Sequence, residues 1–303
     1  MVLTSPAAVI RRHAEDTRLT GSPQQRAREG GTRFVLLGAT ALSLLVLVVL
    51  IVDIVGDGAG RLSLDFLTTY ASRRPEDTGI LAGLTGTLSL MVLVAVMTFP
   101  VGVGAAVYLE EFAPKNRLTS LLETNINNLA GVPSIIYGLM GLSIFVVTLG
   151  LGRSLMAGAL TLTLLVLPVV IVAAREALRA VPREIRSGAL ALGATPIQTA
   201  FRQTIPAAVP GTMTGTILAL SRAIGETAPI LVVGAVTRRA TNEPWNVSEA
   251  FSAIPIQIFG FVKQPQEEFQ IEVASAAIIV LMVILLIMNS AAIIIRHRYT
   301  RTY

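Results

Sequence analysis

Long stretches without a charged residue are the feature that most constrains this chain. Five such runs are present, and a sixth is interrupted only by Arg222 and Glu226. Each run approaches or exceeds the about 20 apolar residues that a helix needs to cross a hydrocarbon core about 30 Å thick. The runs span residues 34–52, 80–109, 124–152, 154–174, 206–236 and 273–295. We therefore predict an all-α, polytopic membrane protein with six transmembrane helices.

The composition leaves little of the chain for a soluble domain. Of the 303 residues, 53% are hydrophobic and only 14% are charged. Residues 1–33 are polar and rich in arginine, which predicts a mobile cytoplasmic N-terminal tail and not a cleaved signal peptide. The transmembrane domain is predicted over residues 34–303, with a long inside segment at about 175–205.

The distribution of basic residues predicts the orientation in the membrane. With six spans, the two tails and the segments 110–117 and 175–205 share one side, which holds 16 Lys and Arg against 7 in the opposite loops. Because basic loops stay inside, both termini are predicted to be cytoplasmic, in a multi-pass protein of the cell membrane. This distribution accounts for the net charge of +5, so nucleic acid is not an expected partner and membrane lipid is.

Several kinds of chemistry have no residues to support them. The chain has no cysteine, and its two histidines, His13 and His297, lie in the polar tails, so no metal site and no cofactor are expected. A phosphate-binding Walker loop needs a Gly-Lys pair, but the two lysines, Lys115 and Lys263, follow Pro114 and Val262. No catalytic residues are therefore expected from these kinds of chemistry, and any ATP hydrolysis must be carried by a partner chain.

The inside segment is predicted to form two short helices joined by a sharp bend. Pro182 suits the first turn of one helix, and Gly193 is a natural stop for it. Thr195 and Gln198 have the spacing of a capping box at the start of the next helix. A connector needs only a few residues, so a shaped helix–turn–helix is better explained as a docking element for a partner protein. Pro206 is expected to break the chain before the fifth span, together with Pro210.

Arg222 and Glu226 are four residues apart in the fifth span, so one helical face would carry both and let them pair. Small residues on that face, Gly211 and Gly215 among them, would admit a close neighbour helix or a polar path. One interpretation is a self-neutralising pair that locks helix packing. The other is a translocation path in which Arg222 binds an anion through paired hydrogen bonds and Glu226 holds the arginine in place.

Part of the inside segment resembles the cytoplasmic loop of binding-protein-dependent importer permeases. That loop has the form EAA, three residues, Gly, nine residues, Ile-x-Leu-Pro, and aligning it on Gly193 and Pro206 preserves the spacing. Ser187 and Gly188 replace the first two letters, and Glu184, one turn earlier, is the available acidic residue. The residues that this resemblance implies for ATPase coupling are Glu184, Ser187, Gly188, Ala189, Gly193, Ala194, Thr195 and Pro206.

Three further stretches together resemble the PstA permeases of phosphate importers. They are NNLAGVPSIIYGLMGL (127–142), REALRAVPREIRSGALALGATPIQT (175–199) and LALSRAIGETAPIL (218–231), and the resemblance runs from about residue 80 to the C-terminus. It implies the type I ABC importer permease (MetI-like) fold and import of inorganic phosphate. It also implies a PstC-like sister permease, a PstB-like ATPase dimer and a PstS-like external phosphate-binding protein. In this family the matching Arg222 and Glu226 are associated with the transport path.

Three other functions stay open from the sequence. A permease for another oxyanion, such as molybdate or sulfate, would share the architecture. A membrane enzyme acting on lipid-linked substrates would need clustered acidic or histidine residues near one interface, whereas Glu226 is the one acidic residue deep within a predicted span. A signalling or scaffold subunit is the third alternative.

Overall fold

A computed structural model of the chain describes residues 23–236 and 246–299, in which all regular structure is helical. The π-helical turns are Tyr108–Phe112, Leu142–Thr148, Ala200–Thr204 and Phe269–Val273. The α-helices are α1 (Pro23–Gly58), α2 (Leu64–Thr68), α3 (Leu81–Val107), α4 (Arg117–Ala130), α5 (Ser134–Gly141), α6 (Leu155–Arg179), α7 (Arg183–Ala191), α8 (Pro196–Thr199), α9 (Ile205–Ile224), α10 (Ala228–Val233), α11 (Ile254–Val262) and α12 (Ala274–Tyr299).

The chain divides into two units, Met1–Asp53 and Ile54–Tyr303. In the first unit, α1 begins at Pro23, well before the first predicted span. The tail predicted over residues 1–33 therefore falls partly on this helix, and its residues 1–22 lie outside the described residues. The side chains of 34–52 are exposed along the helix, which suits a helix whose apolar residues face lipid.

Four helices in the described ranges are long and apolar enough to cross a membrane. They are Thr32–Arg61, Leu81–Phe112, Leu155–Arg179 and Phe269–Arg298. A fifth span is obtained when the bent pair Arg117–Ala130 and Ser134–Thr148 is counted as one. The predicted all-helical, multi-span class is confirmed. The segments 124–152 and 206–236, each predicted as one span, both contain a break between two helices.

The third predicted span is a broken helix. α4 and α5 meet at an angle of 100°, and the break lies at Gly131–Val132–Pro133. A proline disfavours helical backbone in the residue before it, so Val132 leaves the helix and Pro133 becomes the N-cap of α5. The apolar residues of this segment predict that it lies in the membrane, and Pro133 explains why the helix changes direction there.

The fifth predicted span, 206–236, forms two helices, α9 and α10, separated at 225–227. The expectation that Pro206 and Pro210 break the chain is wrong, because the chain is helical without interruption from Pro196 to Ile224. Pro206 lies at the start of α9 and Pro210 inside it, directly after the π-helical turn Ala200–Thr204. In membrane helices, local π-helical adjustments and neighbouring helices let the backbone continue through proline.

The core of the second unit lies around α6, which packs against α3 and α9. The hydrophobic core contains almost fully buried side chains of α6, namely Leu162, Val166 and Val170, together with Leu90 and Val94 of α3. Transmembrane helices associate mainly through close van der Waals packing, because lipid is as apolar as their side chains. Such packing makes α6 the helix against which the other elements are positioned.

Small residues bring α9 close to α6, as predicted from the glycine stripe. A Cβ added to Gly215 would lie 2.7 Å from the Cβ of Ala173, and one on Gly211 would lie 2.9 Å from the Cβ of Ala177. Both distances are shorter than normal contacts, so only glycine permits this approach. The close approach places the end of α9, with Arg222, beside the middle of α6.

Candidate functional site

Arg222 and Glu226 lie where α9 ends, and not in the middle of a continuous helix. Arg222 belongs to the last turn of α9, and Glu226 lies in the linker before α10. The expectation of one helix through both residues is therefore wrong. The N–H of Gly225 donates to the carbonyl of Arg222, and the N–H of Glu226 donates to that of Ala223, which closes the helix in a tight turn.

The two side chains nevertheless form the predicted ion pair. Nε of Arg222 lies 3.8 Å from Oε1 of Glu226, with the arginine side chain 68% exposed and the glutamate 17% exposed. This separation is longer than a hydrogen bond of about 2.7–3.2 Å. The guanidinium therefore keeps donors available for another oxyanion while Glu226 remains close enough to balance its charge.

A cavity of about 310 Å³ lies beside this pair. Its walls come from three parts of the chain: the α4–α5 turn with the start of α5, one face of α6, and the last turns of α9. Pro133 and Ser134 contribute to the first wall, Val166 to the second, and Arg222 with Glu226 to the third. The helix break at Gly131–Val132–Pro133 and the charged pair thus meet in one place, which the sequence did not indicate.

The start of α5 adds positive potential to the cavity. Pro133 is its N-cap and provides no side-chain hydrogen bond. The first N–H groups of a helix have no intrahelical partner, and they favour anions together with the helix dipole. This potential and Arg222 act on the same volume, so a small anion is the ligand that the electrostatics favour.

Tyr137 was missed by sequence reasoning, although it belongs to the cavity wall. It is buried, and its hydroxyl donates to the carbonyl of Leu129 at 2.8 Å. This bond crosses the α4–α5 break and stabilises the turn. The sequence did offer a signal for Tyr137. It lies in the stretch 127–142 together with Val132 and Pro133, and the hydroxyl of a buried tyrosine needs a hydrogen-bond partner.

The predicted helix–turn–helix is present in the inside segment. α7 ends before Gly193, whose φ is +86°, a left-handed conformation that glycine adopts without strain. Thr195 and Gln198 form the expected capping box at the start of α8, with both reciprocal hydrogen bonds present. The bend and the cap hold the two short helices in a defined orientation.

Most of the predicted coupling residues are exposed on the surface of this segment. Ala189 and Ala194 are half-buried, and Pro206 lies apart from the others, at the start of α9. The exposed members are Glu184, Ser187, Gly188, Gly193, Thr195 and Pro206. Next to them are exposed large apolar side chains that the sequence analysis did not assign to coupling. They are Leu190, Leu192, Ile197 and Phe201, and Leu192 is the most exposed of the four, at 92%. Exposed apolar side chains grouped beside polar ones are typical of a protein-binding surface.

Comparison with known proteins identifies a family. The family model described as "Binding-protein-dependent transport system inner membrane component" matches residues 98–301. The probable ABC transporter permease protein YqgI of Bacillus subtilis (strain 168) is 35% identical over 229 residues, which cover 75% of this chain and 76% of YqgI. The phosphate transport system permease protein PstA 1 of Mycobacterium tuberculosis (strain CDC 1551 / Oshkosh) is 36% identical over 200 residues, covering 66% of this chain and 65% of that protein.

The fold is also found in a solved transporter. A chain from inward-facing structures of the MetNI methionine ABC transporter superposes with a TM-score of 0.58 at 19% identity, over 73% of this chain and 96% of that chain. Such identity supports the fold alone, and it agrees with the predicted MetI-like architecture. With the family match over two thirds of its length, the chain belongs to the binding-protein-dependent transport system inner membrane components, the membrane-spanning permease subunits of ABC importers.

Proposed function

We propose that this chain is a permease subunit of an ATP-driven importer of inorganic phosphate. The observation that carries the proposal is Arg222, which is 68% exposed and only loosely paired with Glu226 in the wall of a cavity of about 310 Å³. Inorganic phosphate at neutral pH is a mixture of singly and doubly charged anions. Arginine is the side chain best suited to bind its oxygens through two parallel hydrogen bonds.

Glu226 has two roles in this proposal. It balances the charge of Arg222 when the cavity is empty, since an unpaired charge within the membrane is costly. It also competes with the anion for the guanidinium, so that binding is weak enough for release, as passage through a membrane requires. At about 310 Å³, the cavity is large enough for a partly hydrated anion.

The partners follow from the same proposal. The exposed surface of α7 and α8 would receive a PstB-like ATPase dimer, because this chain supplies no nucleotide-binding loop. A PstC-like sister permease would cover the open side of Arg222 and complete the path. A PstS-like binding protein would deliver phosphate from the opposite side of the membrane.

Uptake by the reconstituted complex tests the proposal. Liposomes that contain this chain, its sister permease and the ATPase, with the binding protein outside and ATP inside, should accumulate labelled phosphate. Excess sulfate or molybdate should not compete. ATP-dependent accumulation of labelled sulfate or molybdate without accumulation of phosphate would show that another oxyanion is the substrate. The absence of ATP-dependent uptake of all three would contradict the proposal.

A further inference from the structure

Five charged residues form a cluster at the end of the bundle that carries α7. They come from the π-helical turn after α3, from α4, from α6 and from α7, and they are distinct from the residues that line the cavity. We call them the carboxylate–arginine cluster, and its members are Glu110, Glu111, Glu123, Arg175 and Arg186. Sequence reasoning singled out none of them for a function.

Arg175 is the most enclosed member. Its side chain is 5% exposed, and its Nη2 lies 2.7 Å from Oε1 of Glu123 on α4. Its Nε lies 3.5 Å from Oε2 of Glu110 in the turn after α3, a carboxylate that the more exposed Arg179 also contacts through its Nε, at 3.0 Å. Both contacts are ion pairs of an enclosed guanidinium, and removing one member of a buried pair leaves an uncompensated charge. The elements that share Arg175 must therefore keep this arrangement together or change it together.

Arg186 connects α7 to the same turn. Its Nη2 lies 2.8 Å from Oε1 of Glu111, and it also donates to the carbonyl of Leu178 near the end of α6, at 2.9 Å. Glu110 and Glu111 are consecutive residues. As a result, Arg175 of α6 and Arg186 of α7 pair with neighbouring carboxylates of one short turn.

α4 carries the connection from the cluster to the cavity. Glu123 precedes Leu129, the first cavity-lining residue of the α4–α5 turn, by about 9 Å along the helix at 1.5 Å per residue. α4 is uninterrupted between them, and Tyr137 bonds the Leu129 carbonyl across the turn. A displacement of α4 at Glu123 would therefore move the wall of the cavity.

We propose that Arg175 is a positioning residue that transmits displacement of α7 to α4, and through α4 to the cavity. The proposal rests on the proposed function in taking α7 as part of the ATPase-docking segment and the cavity as the transport path. It does not depend on which anion is carried. Arg175 itself contacts neither the ATPase-docking surface nor the substrate, and it acts through Glu110 and Glu123.

A single thiol in the cavity provides a direct readout. The chain has no cysteine, so Ser134→Cys places one in the cavity wall at the start of α5. In the complex of this chain with a cysteine-free sister permease and ATPase, the rate at which a small maleimide modifies this thiol is measured in two states. One is nucleotide-free, and the other is trapped with ATP and vanadate. The rate in the parent should differ between the states by about five-fold or more, the lower end of typical coupling between sites.

Three variants are compared in the Ser134→Cys parent. Glu123→Gln removes the carboxylate that joins α4 to Arg175, and Arg175→Lys keeps the charge but loses the planar guanidinium. Glu176→Gln is the control, because Glu176 is the residue after Arg175 and its side chain is 65% exposed in its pair with Arg179 at 3.3 Å. The closer contact of Arg179 with Glu110, at 3.0 Å, is kept in this variant. We expect the nucleotide effect to disappear in the first two variants and to persist in the control. ATPase retention in the purified complex is measured for all three.

Each result decides the proposal. A nucleotide effect of the same size in Glu123→Gln as in Glu176→Gln would overturn it, and so would a parent without any nucleotide effect. Loss of ATPase binding in both cluster variants, with the control intact, would show that the cluster serves stability and would also overturn it. If the parent keeps the nucleotide effect but the complex of the unchanged chain does not take up labelled phosphate, phosphate is not the substrate, and the expected pattern of variants would still support the role of Arg175.

Discussion

Arg222 is tolerated because the chain ends a helix beside it and opens a cavity. A charge at the centre of a bilayer costs about 2.5–3.5 kcal/mol on insertion scales, but this guanidinium borders a polar cavity that admits water. Glu226 is the more enclosed partner at 17% exposed, so it is the side chain with the more restricted position. The exposed arginine is the member of the pair that is free to meet a ligand.

The substitution Arg222→Lys separates a transport role from a packing role. It keeps the charge pair but loses the planar pair of donors, so assembly with the sister permease should be normal. Phosphate uptake should fall at least about ten-fold, which corresponds to about 1.4 kcal/mol. Pull-down of the sister permease and uptake in the same membranes measure the two effects.

A conservative change at another exposed arginine is the control for Arg222→Lys. Arg73→Lys changes an exposed arginine between α2 and α3, away from the cavity and the cluster, and uptake should stay near that of the unchanged chain. Near-normal uptake by Arg222→Lys would contradict a transport role for the guanidinium. Uptake that survives in an assembled Arg222→Met/Glu226→Gln double variant would do the same for the pair.

At the scale of elements, glycines and prolines end the helices at functional positions. Gly193 at φ +86° separates α7 from α8, and Pro133 turns the chain by 100° between α4 and α5. Sequence patterns predicted the stop at Gly193, and a proline such as Pro133 kinks or breaks a helix. They did not distinguish a kink from a complete break, because this difference depends on which neighbouring groups satisfy the freed backbone.

Replacing Gly193 with alanine tests the docking segment. A Cβ at this position would have nothing within 4 Å, so the whole effect comes from left-handed backbone, which costs a residue with a side chain about 1–2 kcal/mol. The ATPase should then bind the permease about 5–30-fold more weakly, as measured by titration of the detergent-solubilised complex.

Gly188→Ala is a matched control for Gly193→Ala. Gly188 also has open space around a Cβ, but it lies inside α7, where alanine favours the helix. ATPase affinity should therefore be unchanged in this variant. Equal affinity of the Gly193→Ala and unchanged permeases would contradict the role of the bend in docking.

At the scale of the whole molecule, the positive-inside prediction remains the basis for orientation. It assigns the docking segment to the cytoplasm and residues 246–262 to the outside. In this cysteine-free chain, Ser248→Cys should react in intact cells with a membrane-impermeant maleimide, since Ser248 is exposed. Leu192→Cys, at 92% exposed, should react only after the cells are permeabilised. The reverse labelling pattern would invert the topology.

The sequence by itself determined the all-helical, multi-span class, the helix–turn–helix at 183–199 and the close approach at Gly215. These features depend on apolar length, capping and side-chain size, all of which are local. Only the tertiary structure decided that 206–236 forms two helices, and that Arg222, Glu226 and the α4–α5 turn share one cavity. The same is true of Arg175, which meets Glu110 and Glu123 although they lie more than fifty residues earlier in the chain. Contacts of this kind depend on how α3, α4 and α9 pack around α6, and no local pattern in the sequence encodes that packing.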